Sequence, residues 1–278
     1  MLIIKNVDNL DLDNTITCGQ IFRFIKEEDN SYTVILSDRV VNLKIIYNNL
    51  YIDSNKNDDL EEVIRKYLDL DRDYLSIIEN IRSMDDKLSN CLDSSLGLKM
   101  IKQEPIECII EYIISANNSV RNITNSLNLI SKRFGDKVIF RDKEYYLFPS
   151  IDKLLEITCD DFRECKVGFR DKYLVEIIKS IKSKELNVNS IYNMKTEDAM
   201  EYLTKFKGIG MKVASCILLF AYHKFDVFPI DTWVKKFMLS DYGIEGEDNI
   251  RKFAKDTYKE YSGLAIQYMF NGKRNKDL

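Results

Sequence analysis

Two residues in the last third of this 278-residue chain, Lys212 and Asp231, have the types and the setting for covalent chemistry on a carbon electrophile. Lys212 stands at the start of an apolar helical run, Met211-Lys212-Val213-Ala214-Ser215-Cys216, that continues to about Tyr222. A lysine in the first helical turn meets the positive end of the helix dipole, which biases it toward the free amine, and desolvation pushes the same way. A free amine is a nucleophile. Asp231 follows Pro229 and precedes Val234, Phe237 and Met238 at helical spacing, which is the pattern of a helix N-cap. The intervening helix of about 12 residues is roughly 18 Å long, so a return loop can bring the carboxylate back toward the amine. Alone, each residue reads as a solvated lysine or a plain cap; together on one hairpin they read as an amine–carboxylate site.

The elements that position the pair are two helices and a tight turn. Thr196 is expected to cap the first helix, whose apolar positions are Ala199, Met200 and Leu203. That helix stops at Gly208-Ile209-Gly210, and the second begins at once, giving a helix–hairpin–helix over residues 196–222. Two glycines permit the sharp turn while Ile209 folds back between the helices. The free amides at the second helix's N-terminus make a phosphate site that grips a nucleic-acid backbone without reading sequence.

Composition allows this. Hydrophobic residues make up 45% and charged residues 31%, ordinary for a globular chain with a sizeable core. The net charge of −4 divides unevenly: residues 1–95 carry −8 and residues 96–278 carry +4, which places a phosphate-facing surface on the larger part. Neither a signal-peptide pattern nor a membrane-length apolar run is present, so a cytoplasmic location is expected, associated with the nucleoid in a bacterium. The six cysteines form no Cys-x-x-Cys pair and the single histidine has no ligand partner, so no metal site is expected.

An α+β fold is expected: an antiparallel sheet domain with packed helices over residues 1–95, then an all-helical catalytic region over 96–278. Short alternating runs at Ile21–Ile25, Tyr32–Leu36, Val40–Ile46 and Leu50–Ile52 read as strands of hairpins. Asp58 and Glu61 read as a capping box opening a helix through Tyr67. Beyond Pro105 the pattern gives a buried helix over Ile106–Ile114, a break at Ser115–Ser119, a helix with the stripe Val120, Ile123, Leu127, Ile130 and Phe134, and a hairpin over Lys137–Leu147.

The segment Gly208-Ile209-Gly210-Met211-Lys212-Val213-Ala214-Ser215-Cys216, followed by Phe228-Pro229-Ile230-Asp231, resembles the helix–hairpin–helix DNA glycosylases, and within them the 8-oxoguanine DNA glycosylase/AP lyase branch. The resemblance extends to Gly19-Gln20-Ile21-Phe22-Arg23-Phe24, Ser115-Ala116-Asn117-Asn118, Gly168-Phe169-Arg170 and the closing run Gly263–Phe270. It implies base excision from double-stranded DNA containing 8-oxoguanine: Lys212 as nucleophile, Asp231 as its electrostatic partner, and strand cleavage by β-elimination. By the same resemblance the Gly19 carbonyl accepts the N7 proton that 8-oxoguanine has and guanine lacks. Phe270 and Cys216 sandwich the extruded base, and Ile266 and Pro229 line its pocket. Asn117 fills the gap left in the duplex, Phe169 wedges beside the opposite base, Arg170 approaches that base, and Gly208, Gly210 and Trp233 meet the DNA backbone.

Three positions depart from the eukaryotic branch. Ile266 stands for a glutamine that bonds the base's pairing edge, Trp233 for a histidine near a phosphate, and Asn122 for an arginine that reads the opposite cytosine. The resemblance implies a monomer that needs no cofactor. A monovalent or calcium ion on the hairpin carbonyls of Thr204, Phe206 and Ile209 is compatible with it. Two alternatives stay open on the residues: a glycosylase of the same fold for another damaged base, and a non-catalytic hairpin module that only clamps DNA.

Overall fold

The computed structural model describes residues 1–274. Strands β1 (Leu2–Ile4), β2 (Phe24–Lys26), β3 (Tyr32–Ile35), β4 (Val40–Ile46) and β5 (Asn49–Ser54) form one antiparallel sheet in the order β1-β5-β4-β3-β2. A short helix, α1 (Leu12–Ile16), interrupts the strands, and α2 (Leu60–Tyr67), α3 (Tyr74–Met84) and α4 (Ser89–Ser94) follow them. The rest is helical apart from one hairpin, β6 (Lys137–Phe140) with β7 (Lys143–Tyr146). Its helices are α5 (Pro105–Ser115), α6 (Val120–Phe134), α7 (Ile151–Leu155), α8 (Cys159–Glu164), α9 (Asp171–Lys182), α10 (Thr196–Thr204), α11 (Met211–Tyr222), α12 (Thr232–Tyr242), α13 (Glu247–Thr257) and α14 (Ser262–Arg274). The fold is α+β, and no helix among the described residues is long and apolar enough to cross a membrane.

Two apolar cores organise these elements. The sheet's core runs from Ile4 to Leu68 and takes in Ile101. The larger core gathers the helices and already includes Tyr74, Ile77, Ile78, Ile81, Leu88 and Leu92. The helices after Leu68, which the sequence groups with the sheet over residues 1–95, thus share the helical core. The strand expected from Ile21 begins only at Phe24. Ile21 packs in the sheet core while Phe22 packs in the helical core, so the chain crosses between the cores before it can pair.

Helix α11 is the centre of the larger core. Every residue from Val213 to Tyr222 is buried, and the helix packs against α5 and α10. A helix apolar on all sides belongs inside a protein, and each large side chain it buries contributes about 1.5–3 kcal/mol. Lys212 is thus held on a helix anchored in the core along nearly its whole length.

Three local expectations differ. The Asp58/Glu61 capping box does not form, because Asp59 is the N-cap residue at φ 55°, its carboxylate 2.8 Å from Arg39 Nη1, and Glu61 pairs with Arg65. Thr196 is the first helical residue instead of the cap, and its hydroxyl donates to Asp226 Oδ1 at 2.7 Å. Val120 is exposed, whereas Ile123, Leu127 and Ile130 bury the face of α6 that meets the core.

Candidate active site

The two hairpin helices meet as their residue types require. Gly208 turns the chain at φ +89°, Ile209 is buried, and α11 starts from Gly210, which offers no side-chain cap. The first intrahelical bond runs from Ala214 N to Gly210 O at 2.9 Å, so the amides before it have no helical partner. After α11 the chain returns through Pro229 to Asp231, whose carboxylate accepts from Val234 N at 2.8 Å and caps α12. Capping fixes the orientation of that carboxylate.

Lys212 and Asp231 share a cleft of about 910 Å³ between α5, α11, α12, α14 and the loop after α1. Lys212 Nζ lies 3.3 Å from Ser115 Oγ and 5.4 Å from the centroid of the Tyr112 ring, both from α5. Among the described residues it makes no direct ion pair with Asp231. Both side chains are half-buried, facing a space open enough to admit a flat ring. Gly19, Cys216, Pro229, Ile266, Phe270, Asn117, Gly208, Gly210 and Trp233 line the same cleft.

Phe270 leans over Gly19: a Cβ on Gly19 would stand 3.2 Å from Phe270 Cε1, and the glycine's φ is +85°. Cys216 is buried on α11, one turn beyond Lys212, and burial pushes its thiol pKa up while the nearby lysine pulls it down. Its sulfur is therefore a neutral, polarisable surface. Trp233 stacks on Phe237 at 5.3 Å and meets the Phe270 ring edge-on at 5.1 Å. It braces Phe270 from behind as well as lining the cleft.

Around the cleft mouth, Asn117 is exposed at φ +51°, and Phe169 projects with 63% of its surface accessible. Phe169 packs edge-on against Tyr173, which in turn presses on Gly208. Phe169 and Arg170 do not line the cleft. Arg170, which the resemblance brings toward the opposite base, is buried in this structure: Nε donates to Ala116 O at 3.1 Å, Nη2 donates to Ala116 O and to Asn117 O, and Nη1 donates to Val167 O. These loop carbonyls have no ladder to satisfy them, and the guanidinium takes that place. In this structure it holds the Asn117 loop rather than facing a partner.

Several cleft residues escaped the sequence reading. Tyr112 lies face to face with Phe220 at 5.4 Å and forms a wall beside Lys212, and Phe22 and Gln267 are among the other lining residues. Tyr112 precedes Ser115 by three residues, which puts both on one helical face, but within an apolar run that signal looks like core.

Comparison with known proteins agrees with the geometry. Residues 2–109 match the family described as 8-oxoguanine DNA glycosylase, N-terminal domain. The chain is 32% identical over 216 residues to the probable N-glycosylase/DNA lyase of Methanothermobacter thermautotrophicus, covering 70% of this chain and 69% of that one. It is 27% identical to the N-glycosylase/DNA lyase of Saccharomyces cerevisiae, covering 94% of this chain and 75% of that one. Among solved structures it is similar to the Clostridium acetobutylicum 8-oxoguanine glycosylase/lyase bound to duplex DNA with cytosine opposite the lesion, at 37% identity and a TM-score of 0.95, over 99% of this chain and 96% of that one.

Proposed function

This chain belongs to the 8-oxoguanine DNA glycosylase/lyase family, and from that membership we propose how its own residues divide the work. The enzyme is a bifunctional N-glycosylase and AP lyase acting on double-stranded DNA that contains 8-oxoguanine. One observation carries the assignment of roles: a lysine on α11, a capping aspartate on α12, a glycine after α1 and a phenylalanine on α14 converge on one cleft.

The free amides at the start of α11 hold a phosphate, and the damaged nucleotide rotates out of the stack into the cleft. Phe270 and Cys216 take the two faces of the base, Ile266 and Pro229 close its edges, and Gly19 reads the N7 proton. Outside, Asn117 occupies the vacated position and Phe169 wedges the opposite strand. Trp233 supports Phe270, and Arg170 fixes the loop that presents Asn117.

Asp231 stabilises positive charge developing on the deoxyribose. The Lys212 nitrogen lone pair forms a bond to C1′, and the bond from C1′ to the base breaks with its electrons leaving on the base, which takes up a proton. Ring opening leaves a Schiff base between Lys212 and C1′. Loss of a 2′ proton then expels the 3′ phosphate and cuts the strand on that side. The reading invokes no cofactor; an ion on the carbonyls of Thr204, Phe206 and Ile209 would stiffen the hairpin without entering the chemistry. The activity belongs in the cytoplasm, on the nucleoid in a bacterium.

Borohydride reduction tests this reading. A covalent enzyme–DNA adduct should form on lesion duplex with the natural chain and vanish in Lys212→Gln. An undiminished adduct in that variant would assign the chemistry to another amine.

A further inference from the structure

Between α1 and β2 the chain crosses the cleft floor with no ladder to hold its backbone, so its hydrogen bonds must come from elsewhere. They come from buried side chains distant in sequence. The Cys18 carbonyl accepts from Gln267 Nε2 of α14 at 3.1 Å. The Gln20 carbonyl accepts from Gln103 Nε2 at 2.6 Å and from the Tyr112 hydroxyl at 3.3 Å. The Gln20 side chain is itself tied down, donating to Thr15 O and Lys99 O and accepting from Ile101 N. Gln20, Gln103 and Gln267 are all buried. Gly19 lies between the two held carbonyls, lines the cleft, and its own carbonyl has no hydrogen-bond partner among the described residues.

We propose that Gln267 and Gln103 are positioning residues for lesion selectivity, two amide donors that grip the carbonyls on either side of Gly19 and fix the peptide plane offered to the base. The proposal rests on the reading of Gly19 as the group that recognises the N7 proton. Guanine and 8-oxoguanine present opposite characters at N7, a lone pair against an N–H. A carbonyl free to swing turns away from guanine's lone pair and discriminates little; one held in place makes the wrong base meet an unpaired, repelling acceptor. A glycine at positive φ in a loop is a poor restraint by itself, so rigidity has to be imported. Gln267 precedes Phe270 by three residues on α14, so one helical face carries both the clamp and the ring that covers the base.

The test uses the full-length chain in a Lys212→Gln background, where affinities for duplexes carrying 8-oxoguanine or guanine are measured without turnover. Gln267→Met keeps the length of the side chain and removes the donor. It should lower the 8-oxoguanine-to-guanine affinity ratio roughly tenfold, the upper range for one net hydrogen bond. With Lys212 restored, the same variant should cleave a ready-made abasic site, which has no base to read, at the unaltered rate. An unchanged affinity ratio overturns the proposal, as does an equal loss of abasic-site cleavage, which marks a merely structural role. If Gln267→Met does not fold, Gln103→Met carries the test: Tyr112 still holds the Gln20 carbonyl, so the expected drop is a few-fold, and no drop overturns the proposal. A duplex with 7-deaza-8-oxoguanine, which lacks the N7 proton, separates the two layers. Binding of that analogue as tight as 8-oxoguanine sinks the Gly19 reading itself. Weaker binding with a ratio insensitive to both variants sinks only the clamp.

Discussion

The two glycines of the hairpin turn should fail in opposite ways when each receives a single methyl group. Gly208 sits at φ +89°, and a Cβ there would lie 2.8 Å from Tyr173 Cβ and 3.0 Å from its Cγ. Left-handed backbone strain in an L-residue is about 1–2 kcal/mol, and forcing a methyl against another residue's Cβ adds about 1–3 kcal/mol. Gly208→Ala should therefore lose about 2–5 kcal/mol of a total stability of about 5–15 kcal/mol. At about 2–4 °C per kcal/mol for a chain of this size class, the melting temperature should fall by roughly 4–20 °C. Gly210 has φ −85° and nothing within 4 Å of its Cβ position. Gly210→Ala weakens only the N-cap, by less than about 1 kcal/mol, so its melting temperature should stay within about 4 °C. Its methyl, however, enters the open space before the free amides of α11, and obstructing one phosphate bond costs about 1.5–3 kcal/mol. Affinity for undamaged duplex should then fall roughly 10- to 100-fold. Thermal unfolding and fluorescence anisotropy at one fixed salt concentration measure both effects, the salt held constant because phosphate binding depends on it. A Gly208→Ala protein that melts like the parent would refute the strain argument. A Gly210→Ala protein that binds like the parent would show that no phosphate lies at this helix end.

Asp231→Asn keeps a good cap and should fold normally, while single-turnover excision falls roughly 10²–10³-fold, the scale of removing one preorganised electrostatic stabiliser; excision within a few-fold of the parent would reduce Asp231 to a cap. His223, buried at the C-terminus of α11, has its pKa pushed down to about 4 by burial, with Lys102 and Arg72 adding to the effect and Asp69 opposing it. Because the unfolded chain takes up this proton first, near pH 6.5, stability of about 3 kcal/mol should be lost as the pH falls from about 6.5 to 4. His223→Asn accepts the left-handed φ of 53° and removes the titration, so urea unfolding at pH 7 and pH 4.5 should differ less than in the parent; an equal difference assigns the acid loss to other groups. Asn122 and Arg121 are both exposed near the Asn117 loop, and with asparagine at 122 the enzyme should tolerate other bases opposite 8-oxoguanine better than the eukaryotic members, which have arginine there, do. A strong cytosine preference in excision from duplexes with each of the four opposing bases defeats this expectation.

The parts of this protein that a reader of the sequence can place are those whose geometry is set within a few residues. The turn at Gly208, the cap at Asp231 and the apolar run of α11 depend on neighbours at i+3 or i+4, so Lys212 could be set at a helix start and aligned with Asp231 without a fold. Arg170 shows where that reasoning stops. The family resemblance brings Arg170 toward the base opposite the lesion, and nothing local shows that the Ala116 and Asn117 carbonyls, more than fifty positions earlier, take its guanidinium as their donor. The packing of α3 and α4 is similar, since helical periodicity shows that they have an apolar face but not which core receives it.

The cleft floor carries this furthest. Gln267 and Cys18 are separated by 249 positions, and Gln103 reaches Gln20 across 83. A glutamine in a sequence counts toward polar surface, and only the folded chain turns these into interior donors matched to particular carbonyls. The residues proposed for the chemistry could be picked out from the sequence because they sit on one local hairpin. The contacts proposed to hold the Gly19 carbonyl could not be picked out in the same way, because bonds between positions so far apart have no local signature. A substitution at Gln103 lies outside every motif quoted above, and one at Gln267 changes none of the residues placed against the base, which is why their effect on the 8-oxoguanine-to-guanine ratio separates physical from motif-based reasoning about this enzyme.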